Sequence, residues 1–120
     1  MAKQIEADTL RDWLDAGQPV TVLDIRSDED HAQWAIPGSV HLDAYEALRD
    51  GRPGVLAEAN LPIDRPIVTI CNVGRVSQTA AEWLSARGFD AASLAGGMKA
   101  GSLAWNAASP AASSVRIGRR

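Results

Sequence analysis

Short runs rich in β-branched residues alternate with stretches of helical spacing along almost the whole chain, and this alternation restricts the fold more than any other feature. Val20-Thr21-Val22-Leu23-Asp24-Ile25 and Ile67-Val68-Thr69-Ile70 have the apolar content and flanking prolines of short buried strands. Further strands are expected over residues 3–5, 39–42 and 91–94. Between them, Leu10, Trp13 and Leu14 share one helical face that ends before Gly17 and Pro19. Ser27 stands three residues before Asp30 in the arrangement that caps a helix, which predicts a brief helix to Trp34, broken by Pro37 and Gly38. A polar helix over 43–49 is followed by a loop carrying Gly51, Pro53 and Gly54. From Val76, the positions Ala80, Trp83 and Leu84 line another helical face, with Gly88 as its stop. A Gly96-Gly97 turn precedes a last helix over 98–106. Strands joined through helices imply a mainly parallel sheet of about five strands with helices on both faces.

With 120 residues, 46% of them hydrophobic and 22% charged, the chain has enough apolar content for one domain with a real core. That domain is expected over residues 1–106, followed by an Ala/Ser/Gly/Arg tail over 107–120 read as disordered. A formal net charge of -3 argues against a general nucleic-acid binder, in spite of Arg116, Arg119 and Arg120 in the tail. No stretch is apolar enough to cross a bilayer, and Met1-Ala2-Lys3 lacks the apolar core of a signal peptide, so a cytoplasmic protein without membrane partners is expected. One cysteine and two histidines give neither an internal disulfide nor a spaced metal-ligand set, and no cofactor is expected.

That single cysteine, Cys71, is the strongest candidate for chemistry. It follows the Ile67–Ile70 run and opens the segment Cys71-Asn72-Val73-Gly74-Arg75-Val76-Ser77, where a strand ends, a glycine-containing loop curls and a helix begins. Ligands of open α/β sheets gather at the carboxyl ends of strands, and helix N-termini offer unpaired N–H groups that favour anions. The competing reading is an inert buried thiol, since free cysteines are among the most buried residues. His31 and His41 are read as packing or hydrogen-bonding histidines rather than bases, and Trp13, Trp34, Trp83 and Trp105 as core or rim aromatics.

Four matches in order, Leu23-Asp24-Ile25-Arg26, His31 with Ile36-Pro37-Gly38-Ser39, the Cys71–Ser77 segment, and Leu94 with Gly96-Gly97-Met98, give the chain its resemblance to the rhodanese family of sulfurtransferases. The residues from Gly96 to Asn106 also resemble rhodanese domains joined to metallo-β-lactamase-fold hydrolases of the persulfide-handling group. The resemblance implies a three-layer α/β/α fold and a sulfurtransferase with Cys71 as the catalytic residue. It implies Asn72, Val73, Gly74, Arg75, Val76 and Ser77 as the substrate-binding loop. Sulfane sulfur would move from thiosulfate or a low-molecular-weight persulfide, through a Cys71 persulfide, to a thiol, cyanide or a protein acceptor.

The residues themselves support that chemistry. Sulfur transfer needs a thiolate, and loop N–H groups backed by a helix terminus stabilise one without a histidine base. Gly74 permits the curl. Asp24 and Arg26, at the end of a strand, are expected to brace the loop as a hydrogen-bonded or ionic pair. Where many relatives carry arginine after the cysteine this chain has Asn72, which weakens its expected hold on thiosulfate, and Arg75 remains as the loop's one charged side chain. Gly101 stands where similar chains have tryptophan, a loss that either widens the pocket or leaves the core less filled, with Trp105 as a candidate replacement. Two other classes compete. A cysteine phosphatase or arsenate reductase needs an arginine six residues after the cysteine, where this chain has Ser77. A binding or sulfur-delivery module would keep the fold with little catalysis.

Overall fold

Five strands, all parallel, form the central sheet of the computed structural model, which describes residues 3–72 and 74–107. In chain order the elements are β1 (Lys3–Ile5), α1 (Ala7–Asp15), β2 (Thr21–Asp24), α2 (Asp28–Gln33), β3 (Val40–His41), α3 (Tyr45–Arg49), a 3-10 helix (Pro53–Ala59), β4 (Ile67–Ile70), α4 (Val76–Ala86), β5 (Ala91–Leu94) and α5 (Gly97–Ala107). The sheet order is β1-β5-β4-β2-β3. The expected rhodanese-like α/β architecture is therefore present, with the sheet parallel throughout.

The two central strands, β2 and β4, are buried at every position, as parallel strands covered on both faces must be. Alternation along each strand divides their side chains between two cores. Val22, Val68, Ile70 and Leu94 pack with Leu10 of α1 and Met98 of α5. Leu23, Ile25, Ile67 and Cys71 pack with Leu48 of α3, Leu56 of the 3-10 helix, and Ala80, Ala81 and Leu84 of α4. The period of two thus aims Cys71, like Ile67, at the α4 side of the sheet.

Ser27 caps α2 as its spacing predicts, its Oγ accepting the Asp30 N–H at 3.2 Å. Residues 53–59 depart from expectation. Gly54 and Pro53 suggest a loop, yet this stretch is a 3-10 helix that buries Leu56 against α4. Proline at its start needs no N–H partner there, which lets a helical turn begin. Trp13 and Trp83 pack partly buried against the two cores, whereas Trp34 is 37% exposed. Gly101 is buried on α5 against Leu94, Met98 and Ile36, on the opposite side of the sheet from Cys71. A missing ring at that position therefore bears on the α1/α5 core and not on the cysteine's surroundings. The Trp105 side chain and residues 108–120, and with them the expected tail, lie outside the described part of the chain.

Candidate active site

At the carboxyl end of β4 the chain turns sharply, and Cys71 is the first residue past the strand. Its thiol is 1% exposed. The turn is shaped by glycines. Gly74 has φ +90°, and a Cβ there would stand 3.2 Å from Gly96 N and 3.3 Å from Leu94 O. At Gly97, φ +62°, a Cβ would stand 2.5 Å from Cys71 O and 2.6 Å from Asn72 O, so no side chain fits. This close backbone approach lets the first amides of α5 clasp the loop, Met98 N–H donating to Cys71 O at 2.7 Å and Lys99 N–H to Asn72 O at 3.2 Å.

Helix α4 has no side-chain cap on Arg75, the residue before its first turn. The Cys71 sulfur takes that place. Gly74 N–H donates to Sγ at 3.1 Å and Ser77 N–H at 3.4 Å, with Ser77 Oγ also 3.4 Å away. Ser77 Oγ is 2.7 Å from Ser93 Oγ on β5, and Thr69 Oγ1 on β4 donates to Ser77 O at 2.7 Å. A buried chain of hydroxyls therefore fixes the first turn of α4 and ends at the sulfur. With the sulfur ionised, a hydrogen-bond order in which Ser93 donates to Ser77 and Ser77 to Sγ leaves every group satisfied.

On its open side Cys71 faces a cleft of about 580 Å³ lined by Tyr45, Leu48 and Arg49 of α3 and by Asn72, Arg75, Val76 and Thr79. That volume is in the range of small-molecule sites. Of the residues expected in the substrate loop, Asn72, Arg75 and Val76 line the cleft, while Gly74 lies beneath the loop. Ser77 is fully buried behind the sulfur and does not line it. Val73 lies outside the described residues. The walls contributed by α3 and Thr79 have no local signature in the sequence. Arg49 in particular is a second guanidinium in the cleft beside Arg75, with Asp50 3.1 Å from it. The carboxylate of Asp50, through hydrogen bonds and charge, raises the Arg49 value.

Asp24 and Arg26 form a buried bidentate pair, Arg26 Nε and Nη2 donating to the two carboxylate oxygens at 2.9 and 2.8 Å. Burial alone pushes the Asp24 carboxyl up. Hydrogen bonds from Arg26 and His31 outweigh burial and hold it below its ordinary 3.8. His31 Nδ1 lies 2.9 Å from Asp24 Oδ2, and since a carboxylate only accepts, Nδ1 carries the proton. His31 also stacks on His41, ring centroids 4.2 Å apart, and His41 Nε2 donates to Arg26 O at 2.8 Å. Arg26 Nη2 reaches Trp34 O at 2.6 Å. The pair thus ties β2 to α2 and, among the described residues, makes no direct hydrogen bond to the cysteine loop. The link to the loop comes one step later, where Asn72 Nδ2 donates to Asp30 Oδ2 of α2 at 3.0 Å.

This constellation, a cysteine past the central strand with its sulfur held in a glycine-shaped curl, sits inside a match to the rhodanese-like domain that covers residues 6–104. The chain belongs to the rhodanese-like family. Over 100 residues it is 30% identical to the putative sulfurtransferase YtwF of Bacillus subtilis, covering 82% of this chain and 88% of that one. It is 36% identical over 83 residues to the thiosulfate sulfurtransferase GlpE of Pseudomonas savastanoi pv. phaseolicola, covering 68% of this chain and 72% of that one. It spans only 14% of the length of a tRNA sulfurtransferase of Desulfurococcus amylolyticus, with 35% identity over 77 residues. The crystal structure of a rhodanese-like domain protein from Staphylococcus aureus superposes with a TM-score of 0.68 at 28% identity, over 82% of this chain and 90% of that one. These relatives support sulfur transfer between a donor and an acceptor as the general activity of the rhodanese-like family. No helix among the described residues is long and apolar enough to cross a membrane.

Proposed function

We propose that this rhodanese-like chain is a sulfurtransferase that carries sulfane sulfur on Cys71. The observation that supports this best is the cradle, in which two backbone N–H groups and the Ser77 hydroxyl converge on the sulfur of a residue that lines a cleft together with two arginines. Donors aimed at a sulfur stabilise its thiolate, the form that attacks. With a persulfide donor RSSH, the Cys71 thiolate attacks the outer sulfur, a new S–S bond forms, the donor's S–S bond breaks, and RS⁻ leaves. With thiosulfate the leaving group is sulfite. A thiolate acceptor then attacks the outer sulfur of the Cys71 persulfide, taking it as a new persulfide and returning Cys71 as a thiolate; cyanide takes it as thiocyanate. There is no net oxidation, and the two half-reactions are ping-pong.

Arg49 and Arg75 act in this scheme as anion contacts at the cleft wall, and the Asp24–Arg26 pair supports α2, which borders the loop. A phosphatase reading has no support, since the residue six past the cysteine is a buried serine bonded to Ser93 rather than a cation facing the cleft. The 1% exposure of Cys71 favours a second reading, a binding or delivery module with little chemistry. Intact mass separates the two. Incubation with thiosulfate or a small persulfide is expected to add one sulfur atom to the wild type and none to Cys71→Ser. A wild type that gains no sulfur from any donor overturns the catalytic reading.

A further inference from the structure

We infer that Asp30, hydrogen-bonded to the cleft residue Asn72, is a specificity-determining residue that disfavours donors with two negative charges beside the transferred sulfur and favours persulfides, which carry at most one charge at the reacting atoms. This inference rests on Cys71 being the sulfur acceptor. Asn72 lines the cleft next to Cys71 and its side chain reaches across to another element, where it meets a carboxylate. The contact joins positions 42 apart in the chain at 3.0 Å.

Asp30 is fixed in place. Its N–H is bonded to Ser27 Oγ, and the next residue, His31, is tied to Asp24 and stacked on His41. Asp28 and Glu29 are exposed in the same turn, Asp28 lying 3.6 Å from His41 Nδ1. The cations of the cleft, Arg49 and Arg75, come from other elements, and Arg49 already has Asp50 beside it. A dianion entering toward the thiolate therefore meets like charge at the Asn72 side as well as at the sulfur. A persulfide brings a single charge to the reacting atoms and keeps any others at a distance, where solvent screens them. The same geometry makes an arginine at position 72 a poor remedy by itself. Its guanidinium, on a longer and flexible stem, would still have Asp30 within reach, pair with it, and leave little net charge for a donor.

The test is a four-protein set, wild type, Asp30→Asn, Asn72→Arg and the double variant, assayed with thiosulfate and with glutathione persulfide. Asn at position 30 can still accept from Asn72, so the loop keeps its contact while the charge is removed. Asp30→Asn is expected to lower KM for thiosulfate about twofold to fivefold, the range for one partly exposed charge. With glutathione persulfide it should change little. Asn72→Arg alone should gain less than the double variant, which is expected to gain about tenfold or more in kcat/KM for thiosulfate, the size of a freed charge-assisted contact. A gain confined to one donor is not something structural damage produces. Active proteins in which Asp30→Asn leaves thiosulfate unchanged, or in which Asn72→Arg alone gives the full gain, overturn the role of Asp30 while leaving Cys71 chemistry standing. Failure of every protein to take sulfur from either donor overturns both.

Discussion

Replacing Gly97 with alanine tests whether the clasp between α5 and the cysteine loop is as tight as its geometry requires. The added Cβ would lie 2.5 Å from Cys71 O and 2.6 Å from Asn72 C and O, and all three are backbone atoms that cannot swing aside as a side chain does. The loop must therefore move away, which breaks or lengthens the Met98–Cys71 and Lys99–Asn72 hydrogen bonds, each worth ~0.5–1.5 kcal/mol. Alanine at positive φ adds ~1–2 kcal/mol of strain. Gly88→Ala supplies the control, because Gly88 has φ +94° but nothing within 4 Å of a Cβ. Its strain is at least comparable, so any excess at Gly97 measures the contact alone. A loss of ~2–5 kcal/mol is expected for Gly97→Ala against ~1–2 for Gly88→Ala. With roughly 4–8 °C of Tm per kcal/mol in a domain of about this size, the two should separate by some 5–20 °C in thermal unfolding followed by circular dichroism. Sulfur loading should fall in Gly97→Ala and survive in Gly88→Ala. Equal Tm values for the two variants would refute the clasp.

Ser77→Ala removes the hydroxyl beside the sulfur and leaves Ser93 without that partner; alkylation of Cys71 by iodoacetamide at fixed neutral pH should slow about twofold to tenfold, with a stability loss of ~1–3 kcal/mol in urea. Because the folded Asp24 carboxyl lies below 3.8, its stabilisation is complete above that value and is lost as pH falls through the folded one, so urea midpoints should drop on acidification below about pH 4. Asp24→Asn leaves Arg26 buried and unbalanced, and is expected to lose ~3–5 kcal/mol at pH 7 while showing a shallower acid slope; an unchanged slope would remove Asp24 from the acid response. Arg49→Ala and Arg75→Ala should each raise KM several-fold for carboxylate-bearing persulfides with kcat little changed, and steady-state kinetics showing the reverse pattern would exclude them as anion contacts.

What the sequence disclosed and what it withheld follow a physical division. Strands such as Ile67–Ile70, the Ser27 cap and the Val76 start of α4 are local matters of period and capping, legible from neighbours in the chain. So was the placing of Cys71 between strand and helix. The 3-10 helix over Pro53–Ala59 was hidden because its proline and glycine carry turn signals, while its reason for existing, burial of Leu56 against α4, lies elsewhere in the fold. The cleft wall from α3, the Ser77–Ser93 bond and the Asn72–Asp30 contact join residues that meet only once the sheet has ordered its strands. Ser77 shows the limit most plainly. Counted along the chain it belongs to the loop, but one more residue of helix turns it inward, behind the sulfur.

The sheet order carries a consequence for the life of a nascent chain. Among the described residues β1 pairs with β5 alone, and β5 sits between β1 and β4, so β1 has no strand partner until β5 has been synthesised. A chain halted before residue 91 already displays Cys71, but Ser93 and the amides of Met98 and Lys99 do not yet exist around it. During synthesis Cys71 and the Gly74 and Ser77 groups that converge on its sulfur precede the elements that hold them in place, β5 through Ser93 and α5 through its first amides.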